Sequence, residues 1–294
     1  MADALALLLG FGLAISNPET LAREGGEVKQ CREWIQSHSQ LPPRHTALTR
    51  IVSPRTICFD GDIYSWTLKE AVAWADKLAT DRTRRPKLVV RSAGGDAVAA
   101  IELAEKLQRL DAEVTVVDFC MSSCANYFFA GLRRRHVAPS AVILFHGGFS
   151  AEERSGFADS LDETLRNPDM VRHIPDPAKW RADALEKFDA DVIRQNALYR
   201  RVGVDTLVVT GMSSVDEEAI PASDCGRRKG VARSAFFFDM KQLRRLGILI
   251  EQGKPSTDPD ETDRSLSRFG FQFTACAAPA TYFNAKSMNE KSSR

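Results

Sequence analysis

Long hydrophobic runs, net charge, dense cysteine and metal-ligand spacing are all scarce in this 294-residue chain, and each shortage removes a class of protein. The longest apolar run, Ala4 to Ile15, is well short of the ~20 residues that a membrane-spanning helix needs. Forty Lys plus Arg stand against 39 Asp plus Glu, a formal charge of +1, so no overall field draws the molecule onto nucleic acid or an anionic membrane. Six cysteines are too few for a disulfide scaffold. The histidines, at 38, 45, 136, 146 and 173, show no ligand spacing with one another or with the cysteines, so neither a metal nor another cofactor is expected. Gly247 and Gly253-Lys254-Pro255-Ser256 do not make a phosphate loop, because the glycine spacing is off by one and Pro stands at the Ser/Thr position. No internal repeat is visible.

What is present suits a globular α/β protein. With 44% hydrophobic and 27% charged residues the chain can bury a core, and its length fits one main domain with extensions. Residues 1–18 have the length and apolarity of an export signal, which predicts a periplasmic or secreted protein; the missing basic residues and Asp3 ahead of the run leave a cytoplasmic buried helix as the alternative. Residues 19–50, mixed in charge and without clear periodicity, read as an N-terminal extension. The main domain is expected over 51–251, with 150–180 as an insertion or flap, and 252–294 as a weakly packed C-terminal tail.

Within the domain strands alternate with helices. Thr56 to Phe59, Leu88-Val89-Val90, Val114 to Val117 and Ala141 to Phe145 read as short strands, and the continuous apolar run Leu88-Val89-Val90 suits a strand buried on both faces. A capping-box pattern at Thr67 to Glu70, and apolar spacing from Val98 to Leu110, predict the intervening helices. In a parallel sheet the polar residues that follow these strands share one edge: Gly94-Gly95 after the second, Ser122 after the third, His146 after the fourth. A serine hydroxyl becomes a nucleophile when a base takes its proton, and imidazole does so near neutral pH. Ser122 and His146 are therefore the candidate catalytic pair. The backbone N–H groups of Gly95 and Ser123 are the candidate oxyanion donors, with Gly94 supporting the turn. Taken singly, each has a plainer reading as a turn glycine, a helix cap or a structural histidine.

The order of these segments resembles the Clp-protease proteolytic subunit. Ile57-Cys58-Phe59-Asp60-Gly61-Asp62-Ile63, Ser92-Ala93-Gly94-Gly95-Asp96, Cys120-Met121-Ser122-Ser123-Cys124 with Ala130-Gly131, and Phe145-His146 are similar to its successive signatures, tightly over about 55–148 and loosely over 181–250. The periplasmic-type branch, with its nucleophile between two cysteines, is the nearer likeness. The resemblance implies a ClpP/crotonase-like fold of repeated ββα units with a layered core, serine-hydrolase activity on peptide or protein substrates, self-association into a homo-oligomer, Ser122 as nucleophile and His146 as base, with Gly95 and Ser123 at the oxyanion hole. The nucleophile loop predicts a Cys120–Cys124 disulfide if the compartment is oxidising; the alternatives are two buried thiols, or Cys31 paired with Cys58.

One departure stands out. The family takes its acid from a stretch matching Gly230 to Ala235, which here holds no carboxylate. Asp239, Asp216 and Asn196 are the substitutes to weigh, Asp239 being better explained as a helix cap. The expectation is thus an ATP-independent peptidase with a Ser-His dyad or incomplete triad. A catalytically weak peptide-binding protein is the alternative, and a crotonase-type acyl-CoA enzyme is disfavoured by Ser122 and His146. The runs Arg133-Arg134-Arg135 and Arg227-Arg228-Lys229 read as solvated loop surface, with no nucleic-acid partner implied.

Overall fold

The computed structural model describes residues 25–38, 41–79, 85–216, 220–228 and 232–283. The signal-like segment 1–18 and the last stretch of the tail lie outside these residues. The architecture is mixed α/β around a mostly parallel sheet. Strands β1 (Ala47–Ser53), β2 (Thr56–Gly61), β3 (Lys87–Ser92), β4 (Glu113–Met121) and β5 (Arg134–Val137) lie side by side in chain order, and β6 (Val142–Leu144) joins β4 as well. Only the β1–β2 pair is antiparallel in this sheet.

The apolar runs are buried on both faces because each face has its own cover. Ile57, Phe59, Leu88, Val90, Val114 and Val116 point into the main core shared with helices α1 (Lys69–Leu78) and α2 (Ala97–Arg109). The alternate residues Cys58, Val89 and Val117 meet Val28, Cys31 and Ile35 of an amphipathic helix, Gly26–Ser37, on the opposite face. That helix occupies part of the region expected to be an extension, and β1 begins before the expected boundary at 51. Its signal was the spacing of Val28, Cys31 and Ile35, each about one helical turn from the next, which polar neighbours obscured.

An irregularity in β4 sets the geometry of its far end. Val90 pairs with Val116 but Ser92 pairs with Cys120, so β4 carries extra residues, and Asp118 takes φ 55° within them. Before the bulge β4 pairs with β5, and after it with β6. Arg91, only 1% exposed, holds the bulge: its Nε and Nη2 donate to Asp60 of β2 at 2.8 Å each, and its Nη1 donates to Asp118 at 3.0 Å.

Two expectations need correction. Residues 150–180, expected as an insertion or flap, are mostly helical and run on into the domain: α3 (Ala151–Arg166) and a turn, Pro168–Val171, lead into α4 (Pro177–Val202). Pro177 starts a helix rather than breaking one, since its missing N–H falls in the first turn and Asp176 caps the end by accepting from Lys179 N–H at 2.9 Å. Nor does the described part of the tail pack weakly. Strand β8 (Phe273–Ala277) lies parallel to β7 (Ala232–Phe237), and a Cys225–Cys276 disulfide joins the two segments. Ala235, Phe237, Leu266 and Ala275 cover Phe119, Met121, Val142 and Leu144 on the second face of the sheet. β7 and the tail therefore complete this part of the core together.

All six cysteines are paired: Cys31–Cys58, Cys120–Cys124 and Cys225–Cys276. Both pairings that the sequence posed as alternatives therefore coexist. No helix among the described residues is long and apolar enough to cross a membrane. The disulfides fit an oxidising compartment. Mass spectrometry of a non-reduced digest should recover these three cross-linked peptides and no others; free thiols at Cys120 and Cys124 would contradict the pairing. Arg91→Met leaves Asp60 buried without its counter-ion, and urea denaturation should show a loss of about 3–5 kcal/mol. A loss under ~1 kcal/mol would mean that the network is expendable.

Candidate functional site

The site forms where β3, β4 and β6 end. Ser122 follows β4 immediately and takes φ 55°, a left-handed conformation that a non-glycine residue adopts only under constraint. The constraint is visible on both sides. Its N–H donates to Leu144 O of β6 at 3.0 Å, and its carbonyl accepts from Asn126 N–H at 2.8 Å in the π-helix Cys124–Phe129. The Cys120–Cys124 disulfide brackets this strand-to-helix elbow from within the core. The half-buried side chain of Ser122 faces a cavity of about 240 Å³.

Gly95 lines the same cavity, and Gly94 precedes it in a turn pressed against Ser122. At φ 95° Gly94 has no room for a Cβ, which would sit 2.6 Å from both Met121 O and the Ser122 Cβ. At Gly95, φ 141°, an added Cβ would collide with the Ile63 carbonyl. Ile63 N–H donates to Gly94 O and Asp96 N–H to Ile63 O, each at 2.7 Å, so the peptide groups flanking Gly95 turn toward Ile63 and its own N–H and C=O turn away. The Gly95 carbonyl accepts from Ser123 Oγ at 2.7 Å. This leaves the Gly95 N–H directed to the Ser122–Ser123 side, with no acceptor among the described residues. The N–H of Ser123 is likewise in the first turn of a helix, without an intrahelical acceptor. Ser123 thus spends its hydroxyl on the Gly95 peptide, and Ser122 keeps the spare one.

His146 follows β6, fixed by reciprocal 2.8 Å backbone hydrogen bonds between Phe145 and Phe236. The loop after it is latched twice. Asn126 Nδ2 donates to Gly147 O at 2.8 Å, and Gln195 of α4 holds Phe149, donating to its carbonyl at 2.8 Å and accepting from its N–H at 3.1 Å. Gly95, Ser122, Ser123 and His146 all line the cavity, so four residues read separately from the sequence share one site. Ser122 and His146 form no direct hydrogen bond. His146 is solvent-accessible on the cavity wall, yet the surrounding protein desolvates it and holds its pKa below the ordinary 6.5, with Glu153 pulling the other way. The imidazole is neutral at pH 7, the state a base requires.

Glu153 was missed in the sequence. It lies within the supposed flap, but Ser150-Ala151-Glu152-Glu153 has the form of a capping box, and Ser150 Oγ does accept from Glu153 N–H at 3.1 Å to start α3. The Glu153 carboxylate leans over Gly147, 3.0 Å from where a Cβ there would stand, and lines the same cavity as His146. Asp239 instead caps the helix Met240–Arg245 in a reciprocal capping box with Gln242, and neither Asp216 nor Asn196 lines the cavity. Phe149 and Phe188, packed edge to face at 5.1 Å, give one wall an apolar surface. Neither models of known protein families nor curated protein sequences match the chain.

The pKa of His146 has a sign that can be checked. Because the folded value lies below the unfolded one, the unfolded chain binds the proton first, and this group's contribution to stability is present above the unfolded pKa and is lost as pH falls through 6.5 toward the folded value. Proton-detected NMR of the histidines should show His146 titrating below 6.5. A midpoint above 6.5 would instead mean that Glu153 outweighs desolvation.

Proposed function

We infer that the protein is a serine hydrolase of the Clp-like class acting on peptides without ATP, with Ser122 as nucleophile and His146 as general base. The observation that carries this reading is the strained Ser122 elbow, which aims a serine with a spare hydroxyl into the cavity shared with a neutral imidazole. Attack by Ser122 Oγ on a carbonyl would send its proton to His146, and the resulting oxyanion would find the N–H groups of Gly95 and Ser123. Glu153 takes the role of the missing carboxylate, holding and stabilising the imidazolium as it forms. This replaces the three residues weighed from the sequence. The ClpP/crotonase-like fold and export to the periplasm or exterior belong to the same reading, supported by the parallel sheet and three disulfides. A catalytically weak peptide-binding protein on the same groove is the second reading, favoured by the open Ser122–His146 gap.

Fluorophosphonate labelling of the oxidised protein separates the two. Wild type should label at one site, while Ser122→Ala and His146→Ala abolish labelling with native far-UV circular dichroism. Ser123→Ala, which keeps its N–H, should label within roughly tenfold of wild type, and Glu153→Gln should slow labelling by roughly tenfold or more. No labelling of wild type would favour the binding reading; labelling that survives Ser122→Ala would overturn the assignment of the nucleophile.

A further inference from the structure

A second cavity lies at the other end of the sheet. It has a volume of about 550 Å³, within the roughly 300–1,000 Å³ span of small-molecule sites. Its walls are the last turns of α2 and α4 and the segment before β5, and they carry Arg109, Arg133, Arg134 and Arg201 against one carboxylate, Asp111. Since β4 starts beside this cavity and ends at Ser122, the two sites are separated by roughly 25–30 Å of strand.

Four guanidinium groups in one concavity are unexpected in a chain of charge +1. Local pairing accounts for some of them. Arg134 donates to Asp111 at 3.4 Å and to Glu251 at 3.0 Å, and Asp111 also accepts from Arg85 at 2.8 Å. Arg133 donates from Nη2 to Arg201 O at 3.0 Å, and Arg201 from Nη1 to Gln108 Oε1 at 3.4 Å, which helps cap the helix ends. That uses one nitrogen of each. Arg109 has no partner among the described residues. Each guanidinium has five N–H donors, and among the described residues Arg109, Arg133 and Arg201 leave most of theirs without an acceptor and have no carboxylate ion-paired to them. The crowding is felt behind the wall, where Arg135 is 1% exposed and bonded to carbonyls of Phe129 and Ala130: burial pushes its pKa down to about 9, and Arg133 pushes in the same direction.

We propose that this cavity binds a compact oligoanion, a small molecule bearing two or three phosphate or carboxylate groups, held by Arg109, Arg133 and Arg201. Forked guanidinium donors match the oxygens of both groups with paired hydrogen bonds. The one carboxylate of the lining, Asp111, favours a compact ligand over an extended polyanion. The Arg133-Arg134-Arg135 run thereby divides three ways: a ligand contact, an ion-paired strand residue and a buried structural group. Solvated loop surface fits the exposed Arg133, but neither Arg134 in β5 nor the buried Arg135.

Isothermal titration of the full oxidised chain at 150 mM NaCl tests this, with tripolyphosphate as the phosphate probe and citrate as the carboxylate probe. Saturable binding of at least one probe is expected, weakened about tenfold or more in Arg109→Ala/Arg201→Ala, and within about twofold of wild type in Arg44→Ala/Arg50→Ala, which removes the same charge from an exposed region elsewhere. The probe that binds tells phosphate from carboxylate recognition. Thermal melts without probe check that the cavity variant is folded; if it is not, the charge-preserving Arg109→Lys/Arg201→Lys, which loses the fork, takes its place with the same expected loss. Absence of binding by both probes, or equal loss in the cavity and control pairs, would overturn the proposal. Fluorophosphonate labelling reads the Ser122 site independently, so either idea can fail alone.

Discussion

A single buried guanidinium, that of Arg91, holds together the part of the sheet on which the candidate site rests. Arg91 lies on β3, bonds Asp60 on β2 through two nitrogens and reaches Asp118 in the β4 bulge with a third. Its Nη2 also donates to the His38 carbonyl at 3.2 Å, tying down the end of the helix that covers this face. A charge withdrawn from water this far needs partners that leave few donors idle, and those partners can be met only when β2, β3 and the bulge take one relative position. The Cys31–Cys58 disulfide clamps the same helix to β2, close to the network.

The bulge has a consequence at the far end of β4. By changing β4's partner from β5 to β6, it places Leu144 where its carbonyl accepts the Ser122 N–H, and so brings the end of β6, and His146 after it, to the elbow. The Gly94-Gly95 turn approaches from the β3 side so closely that side chains there would displace the elbow. Ser123 then ties that turn to the helix through its hydroxyl. The strain at Ser122 is held by covalent and hydrogen-bonded restraints that all arise outside the residue itself.

Charge is distributed with similar economy. Positive and negative residues balance to +1 over the chain, and that near-zero total hides a concavity where arginines outnumber carboxylates. Three adjacent arginines, 133 to 135, meet different fates because β5 alternates its side chains between faces and starts at the second of them. Arg135 turns inward and satisfies the carbonyls left open by the π-helix end, a role that an aliphatic side chain of equal volume could not fill.

The strands were legible because Leu88-Val89-Val90 is apolar at every position and Val114 to Val117 at every position but Thr115, a pattern that favours burial on both faces. Gly94, Gly95, Ser122, Ser123 and His146 were legible as candidates because a parallel sheet brings the ends of its strands to one edge. The helix Gly26–Ser37 and the tail were harder to read, since Val28, Cys31 and Ile35, or Phe271 and Phe273, are too few to show that they cover a sheet until the uncovered face is known. The same holds for Glu153 and for the arginine cavity. Local sequence thus determined the secondary structure of the core and the residue types at its functional edge, because backbone preference and side-chain period act over a few neighbours. Tertiary structure alone decided that Glu153 shares a cavity with His146, that Cys225 meets Cys276, and where arginines distant in the chain converge, because each depends on distances between segments that no local pattern encodes.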